Sequence, residues 1–357
     1  MKALMTEALV LAGTISYAQD SSGNKLVMTG SVDAYYRYNF QNAKDSGRTN
    51  NYTSFTNSQN SFELGMASFK ADYTRGKANG VVDGGFGRRA EEFSYTDGEA
   101  DHGKSGFLTL AALKQAYISY MPSSKIKFTV GKWMTHVGYE VCDAYLNRNY
   151  SMDYMFSYGP FFHVGLKADV TLNSNFGFMV GVSNPTDMST ASFANKHFLG
   201  QVHLTSSNTK INGYLNYMGG KDVPDAMINQ FDVIVTGTVS SKFAIGYNGS
   251  VKSVKPDNSS SNAWWASALY LNFDPSSVFG LTARGEYFSD EHAIANIGGM
   301  SGNKIFDFTL SGNIHIDNLT IIPEFRVDAA DEAIFFKNSG EAVKNTGTFL
   351  LAATYHF

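Results

Sequence analysis

The sequence predicts an all-β protein, a transmembrane antiparallel β-barrel of about 16 strands with short periplasmic turns and long external loops. Three observations favour this fold class. Apolar residues recur at every second position in ribbon after ribbon, the connections alternate between short and long, and the chain of 357 residues ends on the aromatic Phe357. Apolar alternation gives a strand one lipid-facing side, and the two unlike sides of a membrane explain the alternating connections.

The composition agrees with this class and excludes others. Charged residues make up 17 % of the chain, below the roughly 25 % of soluble domains, and no apolar run approaches the ~18 residues that a spanning helix needs. The net charge of −4 gives no argument for a nucleic-acid partner, because no basic patch with interleaved aromatics appears. Cys142 is the only cysteine, which excludes an internal disulfide and a multi-cysteine metal site.

The amino-terminus resembles a secretory signal. A basic residue, an apolar run and a small-residue motif follow one another, at Lys2, residues 8–13 and Ser16-Tyr17-Ala18. We expect residues 1–18 to be a signal peptide and residues 19–357 to form a single barrel domain. Glu7 weakens the pattern, and a buried amphipathic helix is the alternative.

The ribbons themselves repeat with a period of two. The first, Leu26 to Phe40, and later ones at residues 162–171, 230–239 and 307–316 alternate apolar and polar residues, whereas a helix would repeat at three and four. Three further ribbons have an ambiguous phase: near Phe62 to Tyr73, near Val81 to Arg89, and Trp264 to Phe273. Pro323 cannot donate to a strand ladder, so we expect a bulge or an early break in the fifteenth ribbon.

The connections give the second argument. Short polar turns are predicted at residues 122–124, 173–175, 206–208, 240–241, 274–277 and 317–318. Each is expected to lie between two long connections, such as Gln41 to Asn60 or Ser289 to Asn303. With both termini on the short-turn side, the strand count is even. A soluble antiparallel sandwich is the alternative, but its turns need not sort by parity.

The last ribbon, Thr348 to Phe357, is expected to close the barrel. Its apolar face holds Phe349, Leu351, Ala353, Tyr355 and Phe357. We expect it to pair with the ribbon that begins at Leu26, and to be the strand by which the barrel-assembly machinery recognises the protein.

A barrel of about 16 strands leaves a water-filled bore. Its polar faces carry charged residues that we expect to line the pore: Lys167, Asp169, Arg284, Glu286, Glu324, Arg326 and Asp328. Such a lining orders water and biases which solutes pass. The alternative is a solvated face whose charges merely pair with one another.

The stretch from Trp133 to Gly159 is the least strand-like part of the chain. Long loops in compact domains are usually functional or disordered, and the aromatic content of this one argues against disorder. We expect it to fold into the bore and narrow it, with constriction residues at His136, Glu140, Asp143, Arg148 and Asp153.

The sequence gives little support for an enzyme active site. His136, Glu140 and Asp143 are close in sequence, but on a loop that spacing fixes no common face for a metal ion. Ser151, His163 and Asp169 lack the turn that exposes a nucleophilic serine, and Cys142 has no evident activating partner. The prediction is therefore no catalytic residue, no cofactor and no metal.

Several motifs resemble one family. They are Leu113-Lys114-Gln115-Ala116-Tyr117, Gly131 to Glu140, Asn147, Asn149-Tyr150-Ser151 and Ser157-Tyr158-Gly159-Pro160 with His163 and Gly165. With them the chain resembles the OmpL-like β-barrel porins of the porin-2 type. It departs from the family at Arg148, where Trp is frequent, and at Met152-Asp153, where an Arg often follows the Asn-Tyr-Ser triplet. The resemblance implies a passive pore in a bacterial outer membrane and no enzyme activity.

The expected function is thus passive diffusion of small hydrophilic solutes through an outer-membrane channel. The partners would be outer-membrane lipid, the solutes and the barrel-assembly machinery, and a homo-oligomer is left open. Two alternatives remain: a plugged barrel that is structural or holds a partner with its loops, and an outer-membrane enzyme.

Overall fold

The computed structural model describes residues 15–19, 24–43, 49–99, 110–222, 225–299 and 302–357. Its main sheet has 17 antiparallel strands, and all of them except the first form a closed ring. The strands of the ring are β2 (Lys25–Asn39), β3 (Ser61–Arg75), β4 (Ala78–Phe86), β5 (Leu113–Ser123), β6 (Ile126–Met134), β7 (Phe162–Asn173), β8 (Phe176–Ser183), β9 (His197–Thr205), β10 (Ile211–Asp222), β11 (Ala226–Ser240), β12 (Phe243–Pro256), β13 (Asn262–Ser276), β14 (Phe279–Asp290), β15 (Asn303–Ile316), β16 (Leu319–Ala330) and β19 (Asn345–His356). The predicted closed barrel and its strand number are confirmed.

The remaining elements are short. Strand β1 (Ile15–Gln19) pairs with the start of β2, and β17 (Phe335–Phe336) pairs with β18 (Ala342–Val343) in the last long connection. The helices are α1 (Arg88–Phe93), α2 (Tyr95–Glu99) and α3 (Tyr154–Ser157), with 3-10 turns at Ala144–Leu146 and Ile297–Gly299.

Within the described ranges, no helix is long and apolar enough to cross a membrane. Most of the predicted signal peptide, residues 1–14, lies outside the described residues, and its removal stays a prediction.

The two faces of each strand separate apolar from polar side chains. On β15, Phe306, Phe308 and Leu310 are exposed on the outside of the barrel, whereas Asp307 and Thr309 between them are buried on the lumen side. This is the predicted period of two, and it gives the barrel a lipid-facing apolar band.

The barrel closes at the carboxy-terminal residue. The backbone N–H of Phe357 donates to Gly30 O at 2.9 Å, and Gly30 N–H donates to Phe357 O at 2.9 Å. A Cβ atom on Gly30 would lie 2.5 Å from the Cζ atom of the Phe357 ring. It would also lie 2.9 Å from the backbone oxygen of Ser68, so a larger residue at this position would force the neighbouring strand to shift. The predicted pairing of the last ribbon with the first is confirmed.

The connections sort by parity with two exceptions. On the long-loop side, the connection between β12 and β13 has five residues, as many as the β9–β10 connection on the short-turn side. The predicted strict alternation is wrong between β10 and β11, because β10 ends at Asp222 and β11 begins at Ala226. This connection stands on the long-loop side but is as short as a hairpin turn, since both strands extend to nearly full length. The end of the barrel that holds the short turns is called the short-turn end below.

Pro323 produces no bulge. Strand β16 continues through it, and its register with β15 is the same at Ser311–Glu324 and at Ile314–Ile321. The pairs between these two are missing from the ladder, as expected for a residue without an N–H. The expected bulge or early break is therefore wrong, because the neighbouring pairs and the β19 side of Pro323 keep the strand in place.

Candidate functional site

The connection between β6 and β7 folds into the barrel. We call residues 135–161 the lumen loop. Cys142, Tyr150, Met152 and Phe156 of this loop are buried although the loop contains only one turn of α-helix. An irregular segment of this length can be buried only where its polar backbone groups find partners.

A single guanidinium group holds the two ends of the middle part of the loop. Arg284 Nη1 on β14 donates to Glu140 Oε1 at 2.6 Å and to Ser151 O at 2.8 Å. The backbone N–H of Asp153 donates to Glu140 Oε2 at 2.8 Å. The two ends of residues 141–150 are therefore linked through the Glu140 side chain and Arg284, and we call residues 141–150 the lobe.

The lobe crosses the bore. Its Asp143 Oδ1 lies 2.5 Å from Lys114 Nζ on β5, and its Arg148 pairs with Asp274 at the end of β13. The Tyr145 ring stacks on the His356 ring at 5.0 Å, near the short-turn end of β19. The lobe thus reaches from one wall of the barrel to the other and extends toward the short-turn end.

Two carboxylates on the barrel wall bind the loop through its backbone. Glu324 on β16 accepts the N–H groups of Tyr150 at 2.7 Å and Ser151 at 3.1 Å. Glu286 on β14 accepts those of Tyr154 at 2.7 Å and Met155 at 2.8 Å, the unsatisfied donors at the start of α3. Four backbone N–H groups of the loop thus donate to two wall carboxyl groups, and these bonds fix the position of the loop.

A buried network of charges surrounds these contacts. Arg326 Nη1 donates to Met152 O at 2.6 Å, and its other terminal nitrogen pairs with Asp328 at 2.7 Å and Asp307 at 3.2 Å. Asp307 also lies 3.5 Å from Arg284. Buried ion pairs cost desolvation energy that only good geometry offsets, so this network favours one arrangement of the loop over others.

Burial also affects the acidic residues of the loop itself. Burial, followed by the adjacent Asp153 carboxylate, raises the pKa of Glu140 to about 8, and Arg284 opposes this rise. Burial also raises the pKa of Asp153, although its side chain caps α3 by accepting the N–H of Phe156 at 2.6 Å. The Tyr270 hydroxyl donates to the other oxygen of Asp153 at 2.6 Å.

Eleven of the twelve predicted site residues fall into two groups, and His136 stands apart. Eight are buried between the lumen loop and the barrel wall: Glu140, Asp143, Asp153, Arg284, Glu286, Glu324, Arg326 and Asp328. The side chains of Arg148, Lys167 and Asp169 keep 32 %, 19 % and 32 % of their surface exposed. His136 is partly buried, and its Nε2–H donates to Tyr217 O at 3.1 Å. Whether any of them lines the path of a solute stays a prediction.

A partly open polar surface lies near the short-turn end. We call it the vestibule and define it by Lys127, Lys167, Asp169, His203 and Tyr214, on the lumen faces of β6, β7, β9 and β10. Asp169 lies 3.4 Å from Lys167 and 3.9 Å from Lys127, and the rings of His203 and Tyr214 stack at 4.4 Å.

The residues considered for metal binding do not come together. His136 bonds to the backbone of β10, Glu140 to Arg284, and Asp143 to Lys114. In the part of the chain that the structure describes, no three His, Cys, Asp or Glu residues form a metal-ligating group.

The serine, histidine and aspartate considered as a triad also have separate partners. Ser151 N–H bonds to Glu324, the His163 ring lies 3.2 Å from Thr135 Oγ1, and Asp169 pairs with Lys167.

Some residues that hold the lumen loop were not predicted. Arg89 of α1 donates to Cys142 O at 3.2 Å and Tyr150 O at 3.3 Å, and Asp187 accepts the N–H groups of Phe161 and Phe162. Lys114 stands inside a motif that carries the family resemblance, so that motif could have pointed to it. Asp187 lies in an irregular connection and Arg89 in the six-residue helix α1, which is too short for a periodicity that indicates which way a side chain points.

Comparisons with known proteins agree with this architecture. A family model described as "Putative beta-barrel porin-2, OmpL-like" matches residues 25–357. No curated protein sequence matches the chain significantly.

Three solved structures illustrate the fold. OprB of Pseudomonas putida is similar with a TM-score of 0.62 at 9% identity, over 93% of this chain and 94% of that chain. DcaP of Acinetobacter baumannii gives 0.61 at 11% identity, over 96% and 100%. OmpT of Vibrio cholerae gives 0.60 at 13% identity, over 94% and 99%. These identities support the fold alone, whereas the family match covers the whole barrel. The chain therefore belongs to the OmpL-like beta-barrel porin-2 family, and it is a porin of the bacterial outer membrane.

Proposed function

We propose that this porin passes small hydrophilic solutes by passive diffusion and that the lumen loop is a fixed constriction of its bore. The observation that carries the proposal is that the loop crosses the bore, held by Arg284, Glu286 and Glu324 on β14 and β16 and by Lys114 on β5. The vestibule, across the bore from β14 and β16, stays partly open. Polar side chains of both signs can replace part of the hydration of a solute there without holding one ion tightly.

The predicted site residues then have two roles. Arg148, Lys167 and Asp169 would contact solutes and water, since their side chains remain partly exposed. The eight buried residues would position the loop and act on solutes only through it. Substitutions in the two groups should therefore differ: the first group should change ion preference, and the second should change loop attachment.

Further parts of the proposal concern assembly. OmpT of Vibrio cholerae was solved in a trimer form, and a homo-oligomer of this chain is proposed by analogy of fold. We also propose cleavage of the signal after Ala18, and recognition of the terminal strand by the barrel-assembly machinery. No enzyme activity is proposed, because Ser151, His163 and Asp169 bond to different groups.

The second candidate is a plugged barrel. The observation that favours it is the burial of Arg284, Glu286 and Glu324 beneath the loop at the middle of the barrel. In such a protein the long loops would bind a partner and the lumen would not conduct.

Purified protein in a planar lipid bilayer distinguishes the two candidates. The porin should give discrete, ohmic conductance steps, and liposomes that contain it should swell in small sugars more than in large ones. Correct folding is verified first by the heat-modifiable electrophoretic mobility of the barrel. Persistent absence of current from folded protein would contradict the diffusion proposal and support the plug.

A further inference from the structure

Five apolar side chains meet inside the lumen, where polar residues are expected. Trp133, Met179, Leu199 and Met218 lie on the lumen faces of β6, β8, β9 and β10, and Val137 comes from the lumen loop. None of them exposes more than 4 % of its surface. We call these five residues the apolar cluster.

The ladder fixes the position of the cluster beside the vestibule. Met179 is the direct cross-strand partner of Asp169, and Met218 is that of Leu199. The ammonium group of Lys167 lies 5.7 Å from the centre of the Trp133 ring. The charged vestibule therefore ends at the apolar cluster.

Imidazole rings also adjoin the cluster. The His163 ring is 6.3 Å from the Trp133 ring and 5.1 Å from the His136 ring. His163 is the direct cross-strand partner of Trp133, so the apolar cluster borders charged residues at Met179 and an imidazole at Trp133. Lipid does not explain the apolar residues, because their strands turn other side chains outward, such as Leu204 and Leu215.

The opposite wall differs in its charges. Phe288, Ile305 and Ile322 on the lumen faces of β14 to β16 are also buried, but the same faces carry Arg284, Glu286, Glu324 and Arg326, and each of these four bonds to the lumen loop. A solute that crosses the barrel there would have to break several buried charged hydrogen bonds. At the apolar cluster it needs only to displace side chains.

Hydrogen bonds also hold Val137 in place. The adjacent His136 donates to Tyr217 O, and the Gly138 N–H donates to Asp232 Oδ1 at 3.2 Å. The loop side of the cluster is therefore fixed by hydrogen bonds, whereas the side chains of Met218 and Leu199 are held by packing alone.

We propose that the apolar cluster is the hydrophobic gate of this porin, and that the side chains of Met218 and Leu199 set the barrier to water and hydrophilic solutes. A narrow apolar constriction expels water and so blocks ions without a tight steric seal. The inference rests on the proposed diffusion function and adds the position of its barrier.

Single-channel recordings of Met218→Ala and Leu199→Ala test the gate. Each variant should raise the unit conductance about twofold or more, because a smaller side chain lets water stay in the constriction. Leu215→Ala on β10 and Leu204→Ala on β9 are the matched controls, since both side chains face lipid. They should leave the conductance unchanged. Met218→Gln, which keeps the length but adds polarity, should also raise it, and this variant avoids a cavity that could unfold the barrel.

The outcomes separate the gate from the diffusion function. If the unmodified porin conducts and the cluster variants conduct equally, diffusion stands and the gate is refuted. If only the cluster variants conduct, the gate is supported and diffusion through the unmodified protein is refuted. Absence of current from all folded variants would overturn both. Loss of stability without a change in conductance would identify the cluster as packing for the loop and refute the gate.

Discussion

Glu324→Gln should loosen the lumen loop without changing the size of any side chain. The Glu324 carboxylate accepts three hydrogen bonds, from the N–H groups of Tyr150 and Ser151 and from the Ser311 hydroxyl at 2.7 Å. Glutamine has one acceptor oxygen, and its amide nitrogen would face a backbone N–H. At least one charge-assisted bond is lost, and a donor is left facing a donor.

The geometry sets the size of the effect. A hydrogen bond to a charged group contributes about 1.5–3 kcal/mol. Since 1.4 kcal/mol is a factor of ten, the released form of the loop should become about 10- to 100-fold more populated. Glu286→Gln should act similarly, because Glu286 also accepts two backbone N–H groups.

Cys142 provides the assay. It is the only cysteine of the chain, it is buried in the lobe, and burial raises the pKa of its thiol. A water-soluble thiol reagent should therefore react only with the released loop, at a rate proportional to the population of that form. Glu91→Gln is the control, because Glu91 is an exposed residue of α1. Equal labelling rates in Glu324→Gln and Glu91→Gln would refute the claim that wall carboxylates hold the loop.

Two further predictions concern barrel closure and pH. Gly30→Val should lower the fraction of the protein inserted in the outer membrane, because the valine side chain would collide with the Phe357 ring. Removal of Phe357 should have the same effect. Normal membrane levels of both variants would contradict the role of this contact in barrel closure. Burial lowers the pKa of His136 to about 4, and the groups that face this ring are Lys167, Asp169 and His163. The contribution of His136 to the free energy of unfolding is therefore complete above pH 6.5 and is lost as the pH falls toward 4. The loss is at most about 3 kcal/mol, reduced by partial exposure of the ring. The free energy of unfolding by guanidinium should differ less between pH 7 and pH 4.5 in His136→Asn than in the unmodified porin. An equal difference in the two proteins would exclude His136 as a cause.

The periodicity of the sequence predicted the barrel because it records which side of a strand faces lipid. Phe306, Phe308 and Leu310 could be assigned outward, and Asp307 inward, without coordinates. The aromatic content of the lumen loop likewise indicated that it folds inward. Pattern alone did not reveal that Glu286 and Glu324 would be covered, because their partners are backbone N–H groups that every residue carries.

Other features depend on tertiary contacts. Arg89 lies in a helix between strands, and only the structure brings it to the backbone of Cys142 and Tyr150. Met179 and Met218 are apolar residues on lumen faces, so they interrupt the alternation of apolar and polar residues. The sequence pattern alone does not indicate a function for them. Pro323 was expected to disrupt β16, but the intact register on both sides shows that the neighbouring pairs outweigh one missing donor.

The conductance of a lobe deletion tests most directly whether the lumen loop narrows the bore. Glu140 and Ser151 can be joined through a short glycine linker, because Arg284 Nη1 bonds to the Glu140 side chain at 2.6 Å and to Ser151 O at 2.8 Å. Deleting residues 141–150 removes the part that crosses from Lys114 to Asp274 and should leave the barrel intact, as heat-modifiable mobility would verify. The deletion should give larger single-channel steps than the full-length porin. Equal steps from folded deletion and full-length proteins would contradict a constriction formed by this loop.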